Sequence, residues 1–263
     1  MIEHTINPVL LDIGGFEVRY YGLMYIIGFI LAYFIINLLV KEQKIKLSRE
    51  QVMDYIIYLG FGLLIGARFF YFVFYQPATF VLEPFEILKL WHGGMSFHGG
   101  LIGAIVAGFI FCKRNNVSPL KMADITVVPV ALGLFFGRLG NFINGELVGV
   151  KWDGSVCIDY SNNPHLTNPP QDCRFPSQIA ESLKNLVIFA SLWLIKSRNL
   201  PTGFLFWTFI TLYGAFRFLI EFVRVPDFEI GWLSMGQILC IVMFITGIVM
   251  LVRLKHLNTK NIS

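Results

Sequence analysis

Long apolar runs alternate with short polar segments along the whole chain. Windows near 21–40, 52–75, 95–112, 122–140, 177–195, 203–223 and 233–252 are dominated by Leu, Ile, Val, Phe, Ala and Gly. Each approaches the ~20 residues a helix needs to cross the hydrocarbon core. The runs are continuous rather than alternating in ten-residue segments, which excludes a membrane barrel. The pattern predicts an all-α integral membrane protein with seven transmembrane helices, read as a single bundle over 1–263, with 141–175 left as an outer loop or arm. The fifth run carries Glu181 and Lys184 in its first two turns, positions tolerated at an interface or facing the protein interior.

Composition agrees: 56% of residues are hydrophobic, only 14% are charged, and the mean hydropathy is +0.65. Soluble domains carry about a quarter charged residues. The first twenty residues contain Glu3, Asp12 and Glu17 and lack a basic stretch followed by an apolar core. No cleavable signal is therefore expected, and the first span serves as its own insertion signal. The net charge of +4 is modest and predicts no nucleic-acid partner. Its distribution says more. The loops 41–50, 113–121 and 196–202 and the tail 253–263 hold twelve Lys and Arg, against five in the N-terminus and the alternate loops. Basic loops stay cytoplasmic, so the N-terminus is expected outside (periplasmic) and the C-terminus in the cytoplasm.

That orientation gives each polar residue within the runs a depth. Tyr20 and Tyr21 start the first span at the outer surface, and Arg68 falls in the outer half of the second. Ser96 and His98 lie one turn below the outer surface, and Arg138 and Asn141 close the fourth span outside. Tyr213, Arg217 and Glu221 share one stripe of the sixth at i, i+4 and i+8, with Arg224 and Asp227 just beyond. Polar groups near hydrocarbon need partners, and these converge on the outer leaflet. The densest cluster is Gly137-Arg-Leu-Gly-Asn-Phe-Ile-Asn-Gly-Glu-Leu-Val-Gly149, which puts Arg138, Asn141, Asn144 and Glu146 within nine residues.

Arg68, Arg138 and Arg217 at one depth would repel unless anions lie among them. Glu146 and Glu221 offset two, and a lipid phosphate, which guanidinium binds in bidentate fashion, is the natural third partner. His98 in Trp91-His-Gly-Gly-Met-Ser-Phe-His-Gly-Gly-Leu-Ile-Gly103 reads either as a general base or as a histidine bonded between helices. Arg138 with Asn141 reads as a site or as a helix cap, and Arg217 with Glu221 as a site or a bundle salt bridge. Gly60, Gly62 and Gly66 predict close helix packing. Cys112 and Cys240 read as packing residues. Cys157 and Cys173 share one polar loop, and a disulfide there requires an oxidising compartment. No metal-ligand spacing, HExxH, GxSxG or P-loop occurs, so no metal or other cofactor is expected.

The segment 137–149 resembles the signature of the bacterial prolipoprotein diacylglyceryl transferase family. So do His98-Gly-Gly-Leu-Ile-Gly103, Tyr21-Gly-Leu-Met-Tyr25, Arg174-Phe-Pro-Ser-Gln178 and Tyr213-Gly-Ala-Phe-Arg-Phe-Leu-Ile-Glu-Phe-Val-Arg-Val-Pro-Asp227, in the family's order. The resemblance implies an inner-membrane transferase, multi-pass in the bilayer with its site toward the outer leaflet. It would move the diacylglyceryl group of phosphatidylglycerol to the thiol of a lipobox cysteine in a prolipoprotein signal peptide. Carried over by position, Arg138 and Arg217 hold the phosphate and leaving group, and His98 is the base. Tyr21, Asn141 and Gly149 match positions that the family needs. Glu146 and Glu221 orient the arginines, and Tyr213 and Asn144 are further substrate-binding candidates. One segment departs from the pattern: the family's His before Pro-Ser-Gln and its Leu-Tyr-Glu after it are here Phe175 and Ile179-Ala180-Glu181, so no base can be placed there. An anionic-solute transporter would use the same arginines but should show paired halves with interrupted helices, and no motif recurs. A purely structural scaffold leaves the arginines unexplained. Oligomeric state is not legible.

Overall fold

A computed structural model describes residues 1–198, 200–226 and 228–260; Asp227 of the sixth-span motif lies outside the described residues. Among the described residues seven helices are long and apolar enough to cross a membrane. They are α1 (Tyr20–Glu42), α2 (Arg49–Tyr75), α4 (Phe97–Arg114), α5 (Pro119–Ile143), α6 (Ser177–Ile195), α7 (Phe204–Glu221) and α8 (Met235–Lys260). A short α3 (Pro77–Leu82) and two 3₁₀ turns follow α2. Strand pairs are confined to the connections: β1 (Ile2–Glu3) runs parallel to β4 (Ile158–Asp159), β2 (Val9–Ile13) is antiparallel to β3 (Phe16–Arg19), and β5 (Glu229–Ile230) to β6 (Leu233–Ser234). Large apolar side chains stand exposed along the helices, among them Phe34, Phe61, Ile65 and Leu194. In water this would be unfavourable; in hydrocarbon it is the expected outer face.

The chain divides into two compact units, Ile36–Met122 and Met1–Ile35 with Ala123–Ser263. In the first, α2 begins at a capping box: the Ser48 hydroxyl accepts from the Gln51 amide N–H at 3.2 Å, and Gln51 Oε1 accepts from the Ser48 N–H at 2.9 Å. Ser96 caps α4 by accepting from the Gly99 N–H at 3.3 Å. The two helices pack through small residues. A Cβ on Gly62 would meet the Ala107 Cβ and the Gly103 carbonyl at 2.5 Å, and one on Gly103 would lie 2.9 Å from the Gly66 Cα. Gly62 and Gly66 thus let the backbones touch, as the sequence predicts. Gly60 does not take part, since a Cβ there would meet nothing within 4 Å.

The second unit holds α5 to α8 and most of α1. Ile125, Val128, Ala131, Ile188 and Leu192 are fully buried in it. Asp124 ties α5 to the start of α7, its carboxylate accepting from the Gly203 and Phe206 N–H groups at 2.5 and 2.8 Å. In the segment that links α5 to α6, an arm over residues 144–176, Cys157 and Cys173 are joined in a disulfide. The chain start is fastened to that arm by β1–β4 pairing and by His4. The His4 Nε2 donates to the Phe142 carbonyl and Nδ1 accepts from the Asn163 amide, both at 2.8 Å. The orientation of Asn163 is set by its other bonds, Nδ2 to the Ile6 carbonyl and Oδ1 from the His165 N–H. His4 is therefore the neutral tautomer with both nitrogens satisfied, and burial pushes its pKa below the ordinary value.

Candidate active site

Helix α5 stops where the glycine-rich segment predicts a break. Gly145 has φ +65°, its N–H bonds the Phe142 carbonyl, and the Glu146 N–H bonds the Asn141 carbonyl at 2.9 Å. This is a Schellman closure, which needs a left-handed residue and hence glycine. It folds Glu146 back over the last turn of α5, where its carboxylate accepts from Asn144 Nδ2 at 2.7 Å and Asn141 Nδ2 at 3.4 Å. The Tyr21 hydroxyl faces Asn141 and Glu146 and lies 3.1 Å from the Tyr25 hydroxyl. The Tyr21 ring rests on Gly140, where a Cβ would approach it to 2.7 Å. Tyr21, Asn141, Asn144 and Glu146 thus form one group, as the sequence expects.

Arg138 and Arg217 meet in the same unit, but their shared partner is Glu181. Its side chain is 1% exposed. Oε1 lies 3.0 Å from Arg217 Nη1 and 3.9 Å from Arg224 Nη1, while Oε2 lies 2.7 Å from Lys184 Nζ and 3.9 Å from Arg138 Nε. Glu221 closes the other side. Its Oε2 is 2.5 Å from Arg217 Nη1 and 3.7 Å from Arg224 Nε, and its Oε1 accepts from the Ser234 hydroxyl at 2.8 Å. Ser234 also opens α8, with Gln237 as the reciprocal half of its capping box. Helix ends supply most of the members, from the C-terminal turns of α5 and α7 and the N-terminal turns of α6, with Arg224 just beyond α7 and Ser234 just before α8. Among the described residues four cations, Arg138, Lys184, Arg217 and Arg224, surround two carboxylates. The group carries an excess of two positive charges in a buried setting. Burial first, then the charges of Arg217 and Arg138, lower the pKa of Arg224. Tyr213 completes the wall, its ring centroid 3.9 Å from Lys184 Nζ.

Three expectations need correction. Glu146 was expected to orient arginines; its partners are Asn141 and Asn144, and Glu181 takes the arginine role together with Glu221. Arg68 was expected at the depth of Arg138 and Arg217, among arginines in need of an anionic partner. Its guanidinium instead donates to the carbonyls of Glu86, Ile87, Lys89, Gly93 and Gly94, which holds the loop after α3. Gly149 was expected at the substrate. It is buried between the segments that precede α6 and follow α7, with its N–H on the Phe175 carbonyl, and a Cβ would come within 2.7 Å of the Val223 carbonyl. That closeness joins the segment after α5 to the starts of α6 and Arg224. His98 belongs to the other unit, where it is exposed at the second residue of α4 against the Phe97 ring. Among the described residues no group of three or more His, Cys, Asp or Glu could hold a metal ion.

The class defined by these features is a multi-pass membrane protein with a buried, anion-seeking charge cluster among its helix ends. A model of the prolipoprotein diacylglyceryl transferase family matches residues 8–253. The chain is 41% identical to a phosphatidylglycerol–prolipoprotein diacylglyceryl transferase of Geobacter sulfurreducens over 94% of its own length and 95% of the relative's. Proteins of the same description from Nitratidesulfovibrio vulgaris and Ectopseudomonas mendocina are 38% and 39% identical, each over 92% of both chains. The chain belongs to the prolipoprotein diacylglyceryl transferase family. The transporter and scaffold readings gain no support from these relatives.

Proposed function

We propose that this protein transfers the diacylglyceryl group of phosphatidylglycerol to a prolipoprotein, the first step of lipoprotein maturation, at a site facing the outer leaflet of the inner membrane. The acceptor is the thiol of the lipobox cysteine in the signal peptide. The observation that carries the reading is the excess of two positive charges around Arg138 and Arg217. A phosphodiester brings one negative charge; the departing glycerol phosphate carries close to two. Fixed cations in a water-poor site therefore favour the transition state over the bound lipid, which is the condition for faster chemistry. The sulfur forms a bond to the glyceryl carbon as the bond from that carbon to the phosphate oxygen breaks. The thiol proton leaves to a base, a role the resemblance gives to His98, and the electron pair departs with the phosphate.

Arg138 is one-fifth exposed and reaches Glu181 only through Nε at 3.9 Å, so its guanidinium edge is available to the phosphate. Arg217 is held by two carboxylates and contributes a fixed charge. Tyr21, Asn141, Asn144 and Glu146 offer a second polar group at the end of α5 that suits the glycerol hydroxyls of the head group. The test uses purified protein, phosphatidylglycerol in mixed micelles and a lipobox peptide. The expected result is a peptide heavier by one diacylglyceryl group, in thioether linkage, with glycerol phosphate released. A peptide left unmodified, with labelled anion moving across proteoliposomes, would overturn the reading.

A further inference from the structure

Lys184 has no role in the reaction so far, yet it is almost completely buried, its side chain 2% exposed. A buried ammonium is costly unless closely paired. It lies one turn after Glu181 on α6, its Nζ 2.7 Å from Glu181 Oε2 and over the Tyr213 ring. That oxygen is the one Arg138 faces from 3.9 Å. The other oxygen is taken by Arg217. We propose that Lys184 is a positioning residue for phosphatidylglycerol: by saturating Oε2 of Glu181 it keeps Arg138 from closing onto that carboxylate and leaves its guanidinium for the lipid phosphate. The inference rests on the transferase reading above and names a residue that sets its affinity for the anionic lipid.

The physical argument is one of competition. Without the ammonium, Oε2 of a fully buried carboxylate has lost its nearest cation, and Arg138 needs to move only about 1 Å to make a charge-assisted bond with it. The guanidinium would then be neutralised, and the cluster excess would fall from two charges to one. Both changes weaken phosphate binding and neither touches the acceptor peptide.

The measurement is steady-state kinetics on the full-length protein, with phosphatidylglycerol and lipobox peptide varied separately and glycerol phosphate as a soluble competing anion. For Lys184→Met, KM for phosphatidylglycerol and the inhibition constant for glycerol phosphate are expected to rise about ten-fold, the loss of one charge-assisted contact. KM for the peptide should stay within about two-fold. Lys184→Arg, which keeps the charge, should lie within about three-fold of the parent. If Lys184→Met does not fold, the neutral Lys184→Gln decides: a phosphatidylglycerol KM within about two-fold of the parent's would overturn the proposal. An unchanged phosphatidylglycerol KM in Lys184→Met would overturn it too, as would equal rises for both substrates with lowered thermal stability, which marks a merely structural ion pair. Each of these leaves transfer by the parent protein intact; absence of transfer by the parent would instead refute the transferase reading.

Discussion

Glu181→Gln should be the most damaging single-atom change in the charge cluster. The carboxylate is buried on all sides and has cations at 2.7 and 3.0 Å, with two more guanidinium groups at 3.9 Å. The amide keeps the shape and one acceptor oxygen but removes the charge, so the cluster excess rises from two positive charges to three. Removing one partner of a buried ion network costs about 3–5 kcal/mol, because the remaining charges stay buried without compensation. For a chain of this size each kcal/mol lowers the midpoint by roughly 2–4 °C, so a fall on the order of 10 °C is expected. Thermal unfolding in detergent, followed by tryptophan fluorescence, measures it. Glu146→Gln is the control, since that carboxylate is exposed and bound by two amides; its midpoint should move by less than about 2 °C. The transfer rate of Glu181→Gln should also fall, as Arg217 loses one of its two anchors. A midpoint for Glu181→Gln within about 2 °C of the parent, or an equal loss for Glu146→Gln, would refute the assignment of Glu181 as the hub.

Two further predictions concern regions away from the charges. Gly103→Leu should separate α2 from α4, costing at least the ~1–3 kcal/mol of an overpacked core, while Gly60→Leu should be tolerated; equal melting of the two variants would contradict the packing described. Folding lowers the pKa of His4, so the unfolded chain binds the proton more tightly. The stabilisation is complete above about pH 6.5 and is lost as pH falls through the folded value. The protection of amides in residues 158–166, taken relative to the intrinsic exchange rate at each pH, should therefore fall between pH 7.5 and 5, and this dependence should shrink in His4→Gln; an identical profile in both proteins would sink the idea.

The membrane architecture was legible because the apolar runs are long, and their length alone requires helices in hydrocarbon. The Arg217–Glu221 pair was legible for the same local reason, its i, i+4 spacing. What sequence could not reveal is which distant groups meet. Glu181 and Lys184 read as blemishes in a weak span, although two charges in the first turns of an apolar helix were a signal that something buried awaited them. Arg68 read as one of three arginines in need of an anion, because its partners are backbone carbonyls of a loop, and no residue type announces those. Gly149 read as a substrate-binding position because its crowding comes from carbonyls 26 and 74 residues onward, which no local pattern announces. The Cys157–Cys173 pairing needed the fold to bring the two together. His4 drew no notice, since its partners come from the end of α5 and the arm.

The central claim is that Arg138 and Arg217 stabilise the phosphate as it leaves. Single-turnover transfer of diacylglycerol from phosphatidylglycerol to a lipobox peptide by Arg138→Ala and Arg217→Ala tests it most directly. Each variant is expected to lose about 10²–10³-fold in rate while remaining folded. Full transfer rates in both would contradict the account.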